Sequence, residues 1–216
     1  MKIGILGTGV VGNAIGSKLI QLGHEVKMGS RTANNEKAVE WVNKNGKNAS
    51  QGVFADAGAF GEIVFNCTMG AISIDVIKIA DAKNLKGKIL VDVANPLDFS
   101  KGIPPTLIPS LSNTTSLGEE IQKAFPDIKV VKTLNTMNCN LMVNPLLVPG
   151  DHDVFICGND IKAKDKVKEI LSWFGWKSTI DMGDISNARG TEMLLPLWLR
   201  LWGTFQSPNF NFKIVR

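Results

Sequence analysis

The sequence contains no tyrosine and only two histidines, and this scarcity excludes several kinds of catalysis. A short-chain dehydrogenase needs a Tyr-x-x-x-Lys pair, which this chain cannot supply. The two histidines, His24 and His152, fall in a turn and in a loop, where we expect solvated side chains without a catalytic role. Few groups are therefore left for general acid–base chemistry.

Cysteine is also rare, and the three cysteines, Cys67, Cys139 and Cys157, are far apart in the chain. There is no Cys-x-x-Cys pair, so the pattern gives little support to a zinc site or to thiol redox chemistry. We expect the three thiols to behave as small buried hydrophobic groups and predict no metal site. Their odd number favours a reducing cytoplasm.

Strong charge and long apolar runs are absent as well. The chain has 24 basic and 20 acidic residues, scattered singly or in pairs, so we predict no nucleic-acid partner. The longest apolar stretch, Met193–Trp202, contains Pro196 and Arg200 and is too short for a bilayer, which takes about 20 residues. The start of the chain does not resemble a signal peptide. We therefore predict a cytoplasmic protein without membrane insertion.

What the sequence does contain is a regular alternation of strands and helices within 216 residues, 44% of them hydrophobic. The strands are continuous apolar runs, which is typical of a parallel sheet covered on both faces. The sequence predicts a Rossmann-type, doubly wound α/β fold with a mainly parallel sheet and a short C-terminal helical segment. We expect residues 1–182 to form the dinucleotide-binding domain and residues 183–216 a helix and tail. The predicted strands are Lys2–Leu6, Glu25–Met28, Ile63–Cys67, Lys88–Val93, Lys129–Leu134, Asp153–Cys157 and Lys177–Asp181.

A glycine-rich motif lies directly between the first strand and the first helix. It reads Gly7-Thr8-Gly9-Val10-Val11-Gly12, the G-x-G-x-x-G pattern of dinucleotide-binding folds in its required context. In that pattern the first glycine allows a tight turn, the second lets the pyrophosphate approach, and the third lets helix and strand pack closely. The motif predicts a dinucleotide site at the start of the first helix.

The end of the second strand indicates which dinucleotide is bound. NAD sites usually carry an acidic residue there for the ribose hydroxyl, but this chain reads Ser30-Arg31-Thr32. A serine hydroxyl and an arginine can bind a 2′-phosphate through charge-assisted hydrogen bonds, and Lys37 can add to the same pocket. The pattern therefore favours NADP over NAD.

Three further strand ends are expected to border the cofactor, because ligands bind outside the carboxyl ends of parallel strands. The first, Cys67-Thr68-Met69, is expected along the pyrophosphate and ribose, and the second, Asn95-Pro96, at the nicotinamide ribose. The third offers Asn135 to the carboxamide. Asn and Pro are also common turn residues, so a purely structural role for these positions stays open.

Together these segments resemble one family, the NADP oxidoreductases that depend on the deazaflavin coenzyme F-420 (F420). The NADPH-binding domain of the STEAP metalloreductases has a similar pattern. The matching segments are Gly7–Gly12, Gly29–Arg31, Val91–Pro96, Val131–Thr136, Cys157–Asp160 and Asp181–Arg189.

The resemblance implies hydride transfer between NADPH and a flat acceptor stacked on it, which needs ring alignment and no protein acid or base. The acceptor stays open between F420 and a flavin such as FMN or FAD, because Asn135-Thr136-Met137 looks closer to the metalloreductase version. Two other hypotheses also remain. One is a non-enzymatic NADP(H) sensor; the other is a dehydrogenase of a small carbonyl compound, for which Lys132 is the one candidate acid.

The chain after Ser186 is predicted to form one long helix to Phe205, bent by Pro196, with apolar residues around most of its circumference. One side is expected to pack on the sheet domain. The other side is expected to form a homodimer interface, unless the whole helix is buried within one chain. The resemblance also implies that aromatic residues of this region border the acceptor. Only 34 residues follow Met182, too few for the helical domain of β-hydroxyacid dehydrogenases or pyrroline-carboxylate reductases.

Overall fold

A computed structural model describes all 216 residues and contains one large sheet and one small hairpin. The large sheet has eight strands in the order β10-β9-β8-β5-β4-β1-β2-β3, and β6 pairs with β7. The strands are β1 Lys2–Leu6, β2 Glu25–Ser30, β3 Ala49–Val53, β4 Ile63–Asn66, β5 Ile89–Asp92, β6 Leu97–Asp98, β7 Thr106–Leu107, β8 Lys129–Thr133, β9 Val154–Gly158 and β10 Thr179–Asp181.

Helices cover both faces of the large sheet. The helices are α1 Val10–Gln21, α2 Glu36–Asn45, α3 Phe54–Phe60, α4 Ser73–Ile79, α5 Ala82–Leu85, α6 Leu117–Ala124, α7 Cys139–Val143, α8 Ile161–Phe174, α9 Ala188–Met193 and α10 Leu195–Phe205. One face is packed by α1, α2, α7 and α8, and the other by α3, α4, α5, α6 and α9. None of the helices is long and apolar enough to cross a membrane.

The predicted Rossmann-type, doubly wound fold is confirmed, and its central strands are buried as their apolar sequences require. Each face of the sheet carries one hydrophobic cluster. Ile3 and Ile5 of β1 belong to the cluster on the side of α1 and α8, and Leu6 and Val64 to the cluster on the side of α3 and α6. The strand β1 pairs in parallel with both β2 and β4, so the chain is wound outward from the middle of the sheet in both directions. The sheet is mainly parallel, with one antiparallel pair between β8 and β9.

Several predicted elements differ from the observed ones. The edge strand β3 and the helix α3 were not predicted, because Ala49–Val53 has few apolar residues and Phe54–Phe60 contains glycine in its interior. The predicted C-terminal helix is observed as two helices that meet at Leu194, whose backbone keeps right-handed helical angles (φ −69°, ψ −24°). The helical hydrogen-bond pattern is interrupted there because Pro196, in the first turn of α10, has no N–H to donate. Strand β1 and helix α8 have the predicted bounds.

The two histidines are more engaged than expected. The His24 ring centroid lies 4.9 Å from that of Trp173, and burial lowers the pKa of its imidazole. The His152 Nε2 atom lies 3.0 Å from the carbonyl oxygen of Pro145. Both side chains are therefore held in contacts rather than fully solvated.

Candidate functional site

A cavity of about 1250 Å³ opens at the edge of the sheet where β1, β4, β5 and β8 end. These four strands run in the same direction, so their carboxyl ends meet there. Of the predicted cofactor residues, Gly9, Val10, Val11, Cys67, Thr68, Met69, Asn95 and Asn135 line this cavity.

The glycine loop between β1 and α1 forms one end of the cavity. A side chain at Gly9 would meet no protein atom within 4 Å, whereas a Cβ at Gly12 would lie 2.4 Å from the carbonyl oxygen of Gly7. Gly7 itself has a φ of 114°, in the left-handed region that favours glycine. The loop thus keeps open space only at its second glycine, on the cavity side, at the start of α1. This arrangement suits a pyrophosphate bound to the free N–H groups of the helix.

Three predicted residues, Ser30, Arg31 and Lys37, lie at the end of β2 and the start of α2, outside the cavity lining. Ser30 is buried, and its hydroxyl donates to the carbonyl oxygen of Thr32 at 2.6 Å, so its proton is already used within the turn. Arg31 and Lys37 are exposed. Arg31 and Lys37 are therefore two exposed cations of the connection from β2 to α2, and their role in binding a cofactor stays a prediction.

The ends of β4 and β5 are held together by a network of buried polar side chains that the sequence did not reveal. The Asn66 amide donates to Asp92 Oδ1 at 2.8 Å and to Ser73 Oγ at 3.0 Å, and its own oxygen accepts from the Thr68 hydroxyl at 2.7 Å. A Cβ at Gly70 would lie 2.2 Å from the carbonyl oxygen of Asn95, so the two strand-end loops are in close contact. These bonds fix the backbone on which the cavity is built.

Asn95 and Asn135 bind each other across the cavity edge. Asn95 Nδ2 donates to the backbone oxygen of Asn135 at 2.8 Å. Asn135 Nδ2 donates to Asn95 Oδ1 at 3.0 Å and to the carbonyl oxygen of Thr191 at 3.1 Å. Because the backbone carbonyls can only accept, these partners fix the orientation of both amides. Asn135 has therefore used both of its donors, and its Oδ1 is the atom left to accept a hydrogen bond. The predicted residue Pro96 is buried beside Asn95 and does not line the cavity.

The other end of the cavity is mainly apolar, although Arg200, Thr204 and Gln206 also line it. The β6–β7 hairpin contributes Phe99 and Ile103, both exposed, and α10 contributes Leu199 and Trp202 on the opposite side. Trp198 is 5% exposed, and its indole N–H has no hydrogen-bond partner. The sequence predicted no strand between Lys88–Val93 and Lys129–Leu134, so this hairpin and its contribution to the wall were missed.

A cluster of three buried charges lies just behind the cavity. Lys132 Nζ is 2.8 Å from Asp92 Oδ2 and 2.8 Å from Glu192 Oε1, and its side chain is fully buried. Burial by itself would lower the pKa of Lys132, but the two carboxylates outweigh this effect and raise the pKa. Lys132 does not line the cavity, so the geometry does not favour it as the acid of a carbonyl dehydrogenase.

The cavity wall offers almost no titratable group. Among the lining residues only Arg200 and the thiols of Cys67 and Cys139 can ionise, and burial raises the pKa of both thiols. His24 and His152 lie outside it. Such a wall can bind, orient and exclude water from a flat ligand, and it has no group suited to moving a proton near neutral pH.

Three comparisons place this architecture among known proteins. The profile of the family described as NADP oxidoreductase coenzyme F420-dependent matches residues 2–96. The chain is 30% identical over 225 residues to an F420-dependent NADP reductase of Methanocaldococcus jannaschii, covering 100% of this chain and 98% of that protein. It is also 30% identical to rat metalloreductase STEAP3, again over 100% of this chain, but it spans only 43% of the length of that relative.

Solved structures agree with the sequence comparisons. The structure of a protein from Arthrobacter sp. FB24, provisionally named an F420-dependent NADP-reductase, superposes with a TM-score of 0.94 at 52% identity, and each chain is covered completely. Since the similarity to both this structure and the methanogen reductase spans the full chain, it includes the glycine loop, the strand ends and the C-terminal helices. This protein therefore belongs to the F420-dependent NADP oxidoreductase family.

Proposed function

We propose that this protein transfers a hydride between NADPH and a flavin or deazaflavin ring bound in the same cavity. The observation that supports this most strongly is the continuity of the cavity, which runs from Gly9 to the apolar wall at Trp202. A dinucleotide bound along the strand ends would reach from the glycine loop to Asn135. A second planar ring would then fit between the hairpin and α10.

The residues present fit NADP. Gly9 leaves the space that a pyrophosphate needs, and Arg31 and Lys37 supply positive charge where a 2′-phosphate would lie. Asn135 Oδ1 is free to accept a hydrogen bond from the carboxamide. When bound, NADPH supplies the hydride. The protein binds and orients the two rings and keeps water out of the contact between them.

The apolar wall fits a flat aromatic acceptor. Phe99, Ile103 and Trp202 present hydrophobic and aromatic surface, and the unpaired N–H of Trp198 is a donor suited to a ring carbonyl. The methanogen relative is named an F420-dependent NADP reductase, which supports F420 as the acceptor. FMN and FAD stay as alternative acceptors because Asn135-Thr136-Met137 looks closer to the metalloreductase version of this segment.

The proposal is tested by measuring NADPH oxidation with F420, FMN, FAD and riboflavin as separate acceptors, with NADPH binding measured in parallel. We expect turnover with at least one of the four. Tight NADPH binding with no turnover would contradict the proposal and would favour an NADP(H) sensor.

A further inference from the structure

The helix α9 is fixed to the carboxyl ends of the sheet by buried polar contacts from two residues of one strand end. Lys132 of β8 pairs with Glu192, and Asn135, just beyond β8, donates to the carbonyl oxygen of Thr191. Glu192 is 1% exposed. Two neighbouring residues of α9 are therefore held by the same strand end whose Asn135 lines the cavity.

Glu192 also binds a third element. Its Oε2 accepts from the backbone N–H of Leu117 at 2.8 Å, and its Oε1 accepts from Gly118 at 3.0 Å, so the carboxylate lies at the N-terminus of α6. Lys132 in turn donates to the carbonyl oxygen of Ala94, next to Asn95. A single carboxylate thus connects α6, α9, and through Lys132 the loop that borders the cavity.

Such a cluster is a poor way to obtain stability alone. Burying three charges costs desolvation energy, and well-packed apolar side chains often serve equally well. The cluster instead fixes the relative position of the elements that it joins, because each hydrogen bond sets a distance and an angle between two of them. Glu192 lies three residues before Leu195, and α10 then places Trp198 and Trp202 on the cavity wall.

We propose that Glu192 is a positioning residue, which through Lys132 and the N-terminus of α6 sets the apolar acceptor wall of α10 at a fixed spacing from the strand ends at Asn95 and Asn135. This inference rests on the proposed function, because only that function places an acceptor against the wall of α10. It concerns the spacing of two binding surfaces, and Glu192 itself touches neither ligand.

The first test is Glu192→Gln in the full-length protein, with FMN and F420 as probes. Glutamine has nearly the same volume as glutamate, but its NH2 group would face another donor, either the Leu117 N–H or the Lys132 ammonium. Two donors cannot bind each other, so α9 should shift. We expect the KM for the acceptor to rise and the rate of hydride transfer to fall about tenfold, because small misplacements of reacting groups have large effects. The Kd for NADPH should stay within about twofold, since the glycine loop and Arg31, which bind the pyrophosphate and the 2′-phosphate in this proposal, make no contact with Glu192 or Lys132.

Glu119→Gln is the matched control. Glu119 also joins α6 to α9, through Arg189 Nη2 at 2.6 Å, but the pair is partly exposed and does not contact Lys132. It should leave the acceptor KM unchanged. Equal acceptor KM values for Glu192→Gln, Glu119→Gln and the unmutated protein would overturn the proposal.

A second variant displaces α9 without removing a charge, and it serves if Glu192→Gln fails to fold. A Cβ at Gly118 would lie 3.0 Å from the Cβ of Ala188, so Gly118→Ala should push α9 away from α6. We expect it to raise the acceptor KM and to spare NADPH binding. An unchanged acceptor KM in folded Gly118→Ala would contradict the proposal.

Hydrogen exchange separates this inference from the proposed function, since it needs no turnover. In the NADPH-bound protein, Glu192→Gln should speed exchange in residues 195–205 about tenfold and leave residues 2–21 unchanged, with Glu119→Gln as the control. If the unmutated protein reduces no acceptor, the proposed function fails. The hydrogen-exchange rates of residues 195–205 then test by themselves whether Glu192 positions α10. Unchanged exchange in 195–205 would overturn the inference whatever the activity.

Discussion

At the scale of single residues, the glycine loop makes a distinction that mutation can test. A Cβ at Gly9 would face open space, while a Cβ at Gly12 would collide with the carbonyl oxygen of Gly7. We therefore expect Gly9→Val to fold normally and to lose NADPH binding, because its side chain would fill the space left for the pyrophosphate. The measurements are calorimetric titration with NADPH and the melting temperature.

Gly12→Val is the comparison for this prediction. Its side chain would collide with backbone, so it should lower the melting temperature even without cofactor. If Gly9→Val bound NADPH as well as the unmutated protein, the pyrophosphate would have to lie elsewhere.

We expect Arg31 to determine the preference of the protein for NADPH over NADH. Its guanidinium is exposed at the end of β2, and the Ser30 hydroxyl proton is already bound by Thr32. Charge-assisted hydrogen bonds contribute about 1.5–3 kcal/mol, so Arg31→Ala should weaken NADPH binding about 10- to 150-fold. The affinity for NADH should change little.

Calorimetry on both cofactors measures this effect, and Lys44→Ala, which removes an exposed cation from the last turn of α2, is the control. Equal affinities of the unmutated protein for NADPH and NADH would show that β2 does not select the phosphate.

At the scale of elements, the sequence predicted best where the pattern is local. The motif after β1, the apolar strands and the α8 periodicity all depend on near neighbours, and those elements are where we expected them. What it missed depends on distant contacts. The edge strand β3 is stabilised by pairing with β2, and the Asn66–Asp92 and Lys132–Glu192 contacts join residues 26 and 60 positions apart. No spacing rule predicts such pairs.

The link between β10 and α8 gives a prediction about pH and stability. Burial works to raise the pKa of Asp181, but hydrogen bonds from Lys164 and Lys168 outweigh it and hold the pKa at about 2. A lowered carboxyl pKa stabilises the folded state above the ordinary value near 3.8, and this contribution is lost as the pH falls from about 4 to 2.

We expect Asp181→Asn to lower the free energy of unfolding at pH 7 by about 1 kcal/mol, allowing for partial exposure of the pair. The difference from the unmutated protein should shrink as the pH falls below about 4 and be mostly lost by about pH 2, the folded-state pKa of Asp181. Urea unfolding at several pH values measures it, with Asp75→Asn, which removes an exposed pair with Lys78 on α4, as the control. A difference that stayed constant down to pH 2 would mean that the charge of Asp181 is not the cause.

At the scale of the whole molecule, the C-terminal helices leave apolar surface exposed. Leu197 is 50% exposed and Phe205 55%, although Leu195 and Trp198 of the same helix are buried. We therefore propose a homodimer that covers this surface, since aromatic residues are enriched in interfaces.

Sedimentation at micromolar concentration should give about twice the mass of the 23.4 kDa chain. Leu197→Glu, on the exposed side of α10, should shift the protein toward the monomer. A monomer for the unmutated protein would show that α10 serves its own cavity alone.

The central claim is direct hydride transfer within one cavity whose wall has no side chain suited to giving up a proton near neutral pH. Stopped-flow reduction of the bound acceptor, with NADPH carrying either hydrogen or deuterium at the transferred position, tests it most directly across about pH 6 to 9. The account predicts that acceptor reduction and NADPH oxidation occur in one phase, slower with deuterium and independent of pH. A rate that follows the titration of a group in this range, with NADPH binding intact, would contradict it.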